Sequence, residues 1–297
     1  MKALVLLAIL TLVPAPTIAQ DACIDEGVVL QILGSGGPRG LGRASAGYLV
    51  WVDGVGRVLV DAGGGMFVRF HEAGARVEDL EVLALSHFHA DHSSDVAGLL
   101  WLKPQGFVFS GPTGSDLYPS AEEYVSGMFG PDGVFRAVTN GKGLNTVMID
   151  VTKPEPTEVF HNDSIRVRAL GVPHGIVPAV GYRVEVGDVS IAFSSDQNGS
   201  DPAFAEFASG VDALVIHMAV PESVTGFPGD LHAKPSVWGQ VATDANVGTL
   251  VVSHLSAVAP GATESDSPAL AEKLEFLRSN YKGPMLLAED LMCIPLD

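Results

Sequence analysis

The sequence predicts a layered α/β domain. Its apolar stretches are short, as expected of buried strands, and longer stretches with helical periodicity lie between them. The same rhythm of strands and helices is repeated in the second half of the chain. Two sheet-rich halves with flanking helices favour one layered domain, expected over residues 20–297, rather than two independent ones.

In the first half, the predicted strands precede or flank Gly-rich turns, and a hairpin is expected across residues 53–56. The predicted strands are 28–33, 46–52, 57–60, 82–85 and 107–110, and the predicted helices are 66–73, 96–103 and 121–128. Segment 111–143 is rich in Gly and Pro and is expected to form a wall or lid over the site.

In the second half, further apolar runs alternate with helical patterns. The predicted strands are 165–170, 180–186, 189–194, 213–216, 250–253 and 285–287, and the predicted helices are 201–207, 234–243 and 267–279. No short-period repeat, low-complexity tract or linker interrupts the chain.

The first residues are typical of a secretory signal peptide. A charged start is followed by an apolar run to Val13 and by the small-residue pattern Thr17-Ile18-Ala19. We therefore expect a signal peptide over residues 1–19 and an exported protein, periplasmic or secreted, without a membrane anchor. In an oxidising compartment Cys23 and Cys293 can pair, but two unrelated thiols are equally compatible with the sequence.

The charge of the chain is strongly acidic. Its 17 basic residues are scattered and outnumbered by 35 acidic ones, for a net charge of -18. Because grip on a nucleic-acid backbone usually needs a basic patch, we expect no stable nucleic-acid complex.

A cluster of metal-ligand residues follows the apolar run that ends at Leu85. Its members are His87, His89, Asp91 and His92. Imidazole nitrogens and carboxylate oxygens are ligands that zinc accepts readily. An extended backbone would point His87 and His89 the same way, and a second ion beside the first would explain Asp91 and His92.

Three single polar residues end or follow later strands: His174, Asp196 and His254. A lone histidine at a strand end is usually a hydrogen-bonding residue, but together with the first cluster these residues indicate a metal site. His87, His89 and His174 would hold one ion, and Asp91, His92 and His254 the other. Asp196 would bridge both, and each ion would keep an open position for water.

These motifs resemble those of the metallo-β-lactamase superfamily. The chain is most similar to its tRNase Z and arylsulfatase-like branch, which opens with a strand and a Gly-rich loop like residues 34–37. The resemblance implies a four-layer αββα sandwich with two Zn²⁺ ions, although Mn²⁺ or Fe also suits these ligands. True zinc β-lactamases lack an aspartate where Asp196 stands, which makes a primary β-lactamase role less favoured.

Other histidines are assigned by the same resemblance. His232 matches a residue that helps to protonate the leaving group, whereas His217 matches a strand end that usually continues with Glu and here continues with Met218. Asp61 ends a strand and either orients a ligand histidine or simply forms a turn. His71 and His161 are expected at the surface.

We expect an exported dinuclear zinc hydrolase that cleaves a small sulfate ester or phosphodiester. A metal-bridging hydroxide would attack, Asp91 would orient it, and His232 would donate a proton to the leaving oxygen. Alternatives are a lactonase or β-lactam hydrolase, a ribonuclease Z-type phosphodiesterase, and a metal-binding module without turnover. The sequence leaves the oligomeric state open.

Overall fold

The computed structural model describes residue 23, residues 26–102 and residues 106–296. The predicted signal peptide lies outside the described residues, as does residue 103, the predicted end of helix 96–103. The described strands are β1 Val28–Gly34, β2 Gly47–Val52, β3 Val55–Val60, β4 Val82–Ala84, β5 Val108–Pro112, β6 Asn145–Ile149, β7 Thr157–His161, β8 Ile165–His174, β9 Val177–Val186, β10 Val189–Phe193, β11 Ala213–His217, β12 Thr249–Ser253, β13 Met285–Leu287 and β14 Met292–Leu296.

Helices occupy the connections between these strands. They are α1 Met66–Glu72, α2 Ala90–Ser93, α3 Val96–Leu102, α4 Ala121–Phe129, α5 Arg136–Thr139, α6 Ala203–Phe207, α7 Phe227–Leu231, α8 Pro235–Asp244 and α9 Pro268–Asn280. None of the helices described in residues 26–102 and 106–296 is long and apolar enough to cross a membrane.

The strands form two mixed sheets of seven strands each. The first has the order β14-β1-β2-β3-β4-β5-β6, and the second has the order β13-β12-β11-β10-β9-β8-β7. Strands β3, β4, β5 and β6 run parallel, and so do β10, β11, β12 and β13. In parallel strands the carboxyl ends meet at one edge of the sheet, and ligand sites form there.

Strand β1 shows why the sequence packs into four layers. All its residues are buried. Val28, Leu30 and Ile32 face a core shared with residues of the second sheet, whereas Val29 and Leu33 face a core shared with helices. A third core joins the second sheet to α6, α8 and α9. The predicted four-layer αββα sandwich of the metallo-β-lactamase fold is thereby confirmed.

The strands that the sequence does not predict are β6, β7 and β14, which lie at the edges of the two sheets. Strand β6 is largely half-buried or exposed, and β14 contains Pro295, which suits an edge position. Edge strands lack the continuous apolar run of a central strand, so the hydrophobic pattern in the sequence that predicts a strand is weak there.

A disulfide joins Cys23 to Cys293, whose Cα atoms are 5.5 Å apart. Cys293 lies in β14, which pairs with β1, so the bridge ties the residues ahead of β1 to the last strand. Of the two arrangements that the sequence leaves open, the structure has the paired one.

Candidate metal centre

The predicted ligands converge from the ends of strands in both sheets. The segment after β4 carries His87, His89, Asp91 and His92, and the second sheet supplies His174 at the end of β8 and the residues that follow β10 and β12. His89 has an extended backbone, and the short helix α2 begins at the next residue. This change of conformation turns Asp91 and His92 away from the direction of His87 and His89.

Three strand exits at the site have a left-handed backbone. Asp61, Ser195 and His254 have φ values of 61°, 59° and 56°. Such a conformation is uncommon for residues other than glycine and is concentrated at functional sites. It lets the chain turn sharply at the sheet edge, so that Asp61, Asp196 and His254 all face the same point. Periodicity in the sequence carries no signal for this.

The residues His87, His89 and His174, here called the histidine position, bring three imidazoles together. His87 Nε2 lies 3.0 Å from His89 Nδ1. His174 Nδ1 donates to the carbonyl of Leu231 at 2.7 Å, which leaves Nε2 with a free lone pair. That Nε2 is buried and has no hydrogen-bond partner among the described residues.

All three imidazoles of the histidine position are neutral at pH 7. Burial lowers the pKa of His87 well below its ordinary value, and it also lowers the pKa of His89. Burial brings the pKa of His174 down to about 4, although the carboxylate of Asp196 acts in the opposite direction. Neutral imidazole is the form that binds a metal ion.

The residues Asp91, His92 and His254, here called the mixed position, form a second group. His254 Nε2 lies 3.2 Å from Asp91 Oδ2 and 3.3 Å from His92 Nε2. Burial raises the pKa of Asp91, but the hydrogen bond from His254 and the charge of His92 outweigh it, and the pKa falls to about 2. Burial lowers the pKa of His92, but the carboxylates of Asp61 and Asp196 hold it well above its ordinary value.

Asp196 lies between the two positions. Its Oδ2 is 3.6 Å from His92 Nε2 and 3.9 Å from His174 Nε2, and its Oδ1 is 3.6 Å from His254 Nε2. The residue is buried, and the surrounding imidazoles hold its pKa well below the usual range despite that burial. A carboxylate that lies between the two groups can be shared by two cations.

These residues fit two metal ions. Ligand bonds of about 2.0–2.2 Å in tetrahedral directions place neighbouring ligand atoms roughly 3.3 Å apart. The separations of 3.0, 3.2 and 3.3 Å are of this size. The buried His174 Nε2 also has no other partner among the described residues. The predicted ligands are thus brought together around Asp196.

A cavity of about 780 Å³ opens onto both positions. His89, Asp91, Asp196 and His254 lie on its wall. The site is therefore reachable from solvent, as a catalytic centre requires and a closed structural ion site does not.

The model for the β-lactamase superfamily domain matches residues 56–255, more than half of the chain and all of the candidate ligands. The chain belongs to the β-lactamase superfamily. Ribonuclease Z from Mycobacterium bovis is 28% identical over 261 residues, which cover 79% of this chain and 89% of that relative.

Solved structures share the fold of this chain. Human tRNase Z, short form, has a TM-score of 0.68 at 16% identity, and the match covers 91% of this chain and 99% of that one. The metallo-β-lactamase fold protein YhfI from Bacillus subtilis has a TM-score of 0.68 at 18% identity, with 91% and 100% covered. The predicted resemblance to the superfamily and its ribonuclease Z-like branch is confirmed, and so is the prediction of a metal-dependent hydrolase acting on ester bonds.

The sequence-based expectations about activity and about partners need correction. The expected main activity, hydrolysis of a small sulfate ester or phosphodiester, is wrong, because the curated relatives are named ribonuclease Z. Two expectations about partners are wrong for the same reason. They are the small-molecule substrate and the absence of a nucleic-acid complex. A net charge of -18 describes the whole chain, whereas a phosphodiester meets only the local field, which two divalent cations would make positive.

Asp61 contacts a candidate ligand histidine, as the first of its two interpretations requires. Its Oδ2 lies 2.8 Å from His92 Nδ1, and its Oδ1 accepts from the backbone N–H of Ser86 at 2.7 Å. A carboxylate on one ring nitrogen fixes the imidazole so that the other nitrogen faces the metal. Superfamily membership and this contact together favour an orienting role over a simple turn.

His217 is held from both sides. Its Nδ1 donates to Asp196 Oδ1 at 2.8 Å, and its Nε2 lies 2.9 Å from the hydroxyl of Tyr48. Although His217 groups geometrically with His92, Asp196 and His254, both of its ring nitrogens have protein partners. The indole N–H of the fully buried Trp238 donates to the His217 carbonyl at 3.0 Å, which fixes this strand end.

His232 lies at the wall of the cavity, just after α7. Its Nδ1 is 3.7 Å from Asp196 Oδ2 and has no hydrogen-bond partner among the described residues. Burial lowers its pKa, although Asp196 acts against this effect. The structure thus places His232 beside both metal positions, and it leaves His71 and His161 exposed on the surface.

Residues that the sequence gives no reason to select hold the loop of His254. A Cβ on Gly37 would lie 2.7 Å from the His254 ring, so only glycine lets the first loop pack there. Arg43 binds the carbonyls of Val258 and Ala259 and pairs with Glu289 at 2.7 Å. These contacts join residues up to 246 positions apart, which no local pattern reveals.

Segment 111–143 reaches the site, in agreement with its expected place as a wall. The Tyr118 ring lies 5.7 Å from that of His89, and Phe88 stacks on Tyr124 of α4. These contacts support the outer side of the histidine position.

Proposed function

We propose that this chain is a ribonuclease Z-type phosphodiesterase that cleaves RNA, with tRNA as the first substrate to test. The observation that carries the proposal is the open cavity over the shared carboxylate of Asp196, in a chain that matches ribonuclease Z over 89% of that relative's length. The nearby sulfate-ester and lactam chemistries have no comparable support.

Different residues of the chain would bind the metal ions and orient the attacking water. The histidine position and the mixed position would hold one cation each, and Asp196 would bind both. When bound, the ions supply Lewis-acid chemistry, which neutralises charge on a phosphoryl group and makes water a better nucleophile. Asp91, whose pKa of about 2 keeps it ionised, would orient the attacking water by accepting a hydrogen bond from it.

His232 is placed to move a proton to the leaving oxygen. It lines the cavity and directs Nδ1 toward Asp196 at 3.7 Å. The neighbouring carboxylate of Asp196 offsets part of the burial that lowers the pKa of His232. Replacement by Ala should lower kcat and leave the metal content unchanged.

Zinc is the proposed metal, on the grounds of ligand chemistry. Five imidazoles and two carboxylates suit Zn²⁺, whereas Mg²⁺ and Ca²⁺ prefer oxygen ligands. The same ligands also accept Mn²⁺ and Fe, so each ion should be tested for content and for turnover.

The decisive test is an assay of the metal-loaded protein on tRNA, on single-stranded RNA and on DNA of equal length. We expect metal-dependent cleavage of RNA that is abolished when His87 and His89 are both replaced by Ala. His161→Ala is the matched control, because His161 is exposed and lies outside the cluster. No cleavage of any RNA by a preparation with two ions bound would refute the proposal.

We also propose that the protein works outside the cytoplasm. The disulfide between Cys23 and Cys293 supports this, since such bonds persist in oxidising compartments. Fractionation of cells that express the tagged full-length chain tests it independently of the activity. Recovery of the protein in the cytoplasm with free thiols would refute the proposal.

A further inference from the structure

Lys273 is a buried cation on the wall of the metal cavity. It lies in α9 and is only 8% exposed, yet it lines the same cavity as Asp91, His232 and His254. Lys residues are almost never fully buried unless they are paired. Its position therefore needs an explanation.

Few polar groups of the protein contact the buried ammonium of Lys273. Its Nζ donates to the carbonyl of Met218 at 3.5 Å, and no carboxylate of the described residues forms an ion pair with it. An ammonium has three donors, so one long hydrogen bond leaves it largely unsatisfied. Burial lowers the pKa of Lys273, and no described charge acts against that effect.

Arg43 shows what a fully partnered buried cation looks like in the same chain. It is 5% exposed, pairs with Glu289 at 2.7 Å and donates to the carbonyls of Val258, Ala259 and Ala288. Arg43 is complete without a ligand, whereas Lys273 faces a cavity and has no counter-ion. This contrast indicates that the counter-ion of Lys273 comes with the substrate.

We propose that Lys273 binds a second phosphate of the RNA substrate, beyond the phosphodiester at the metal positions. The inference rests on the proposed function, because it adds a second phosphate-binding residue to the same RNA-binding cavity. Val220, Val258 and Leu270 are buried apolar residues on the same wall and offer a surface for a nucleoside between the two phosphates. Arg39, exposed on the same cavity, continues the positive charge toward solvent.

Binding of small nucleotides to the metal-loaded protein tests the inference without turnover. The probes are adenosine 5′-monophosphate, with one phosphate, and adenosine 3′,5′-bisphosphate, with two. In the wild type the second phosphate should lower the Kd by about tenfold, the size of a charge-assisted hydrogen bond. Lys273→Met should abolish this difference and leave the monophosphate Kd unchanged.

Lys282→Met is the matched control. Lys282 is exposed just after α9, bonds to the carbonyl of Arg278 and does not line the metal cavity. Its loss removes the same charge and should leave the bisphosphate preference intact.

An unchanged bisphosphate preference in Lys273→Met would overturn the inference. An equal loss of affinity for both nucleotides would overturn it as well, because Lys273 would then face the phosphate at the metal positions. If the variant does not fold, a crystal structure of the wild type with the bisphosphate decides, since one phosphate must lie within hydrogen-bond distance of Lys273 Nζ. Failure of the proposed function would appear separately, as a wild type that binds nucleotides but cleaves no RNA.

Discussion

The two metal positions differ in how their ligands are prepared. The histidine position contains three imidazoles whose pKa values burial lowers, and its ligand atoms have few protein partners. The mixed position contains a carboxylate and an imidazole in contact with Asp61, and its residues form a network of hydrogen bonds. The histidine position is neutral and can bind a metal ion as it stands. The mixed position contains a protonated imidazole, which must lose its proton before a metal ion binds.

This difference indicates a division of labour. The histidine position is neutral, and the lone pair of His174 Nε2 has no partner among the described residues. Both features favour tight binding of one ion there. The mixed position, with Asp91 and the outer carboxylate of Asp61, favours the ion that handles proton chemistry. Asp196 couples them, so a change there should affect both, whereas a change in either triad should affect one.

Asp196→Ala should have the largest effect. Both ions lose a ligand, and five neighbouring imidazoles lose the carboxylate that balances them. We expect a fall in phosphodiesterase activity of at least about 10³-fold, beyond the 10–100-fold typical of an outer partner. Metal content by mass spectrometry should drop below two ions per chain, whereas Asp201→Ala, at an exposed aspartate, should keep both.

His174→Ala and His254→Ala should separate the two positions. Each variant should retain about one ion and lose most activity, because each removes a ligand from one position only. Spectra of the cobalt-substituted proteins should differ, since the retained ion has mixed ligands in the first variant and imidazole ligands in the second. Identical spectra would mean that the two positions are not distinct.

Asp61→Asn should weaken the mixed position selectively. The amide keeps the shape of the side chain but loses the charge that orients His92. The second ion should bind roughly 10–100-fold more weakly, and the first ion should be unaffected. Competition with a metal chelator measures both affinities, and equal weakening of the two would contradict the distinction.

Proton release on metal binding should give the smallest signal. His92 has a raised pKa and is protonated in the metal-free protein at pH 7, so the mixed position should release about one proton. Its apparent affinity should therefore rise with pH until the pKa of His92 is passed. The histidine position, neutral already, should release none above pH 6.5. Calorimetry in two buffers of different ionisation enthalpy measures the difference.

The ligands themselves could be predicted because metal chemistry restricts residue types and places them at strand ends. His87 to His92 stand next to one another in the sequence, and His174, Asp196 and His254 each follow an apolar run. The central strands were predictable for the same reason, since continuous burial leaves a continuous apolar pattern.

The supporting residues could not be predicted, because their roles depend on distant contacts. Arg43 meets Glu289, and Tyr48 meets His217, only after both sheets have formed. Lys273 looks like any surface lysine of an amphipathic helix until the cavity is seen. The preference for a small ester over the ribonuclease Z-type alternative was wrong, because the total charge of a chain says little about the field inside one cleft.

Anomalous diffraction at the zinc edge, from crystals of the zinc-loaded protein, tests the central claim most directly. We expect two peaks, one bound by His87, His89 and His174 and the other by Asp91, His92 and His254, with Asp196 contacting both. A single peak, or a pair of ions with Asp196 bound to neither, would contradict this account of two unlike positions joined by one carboxylate.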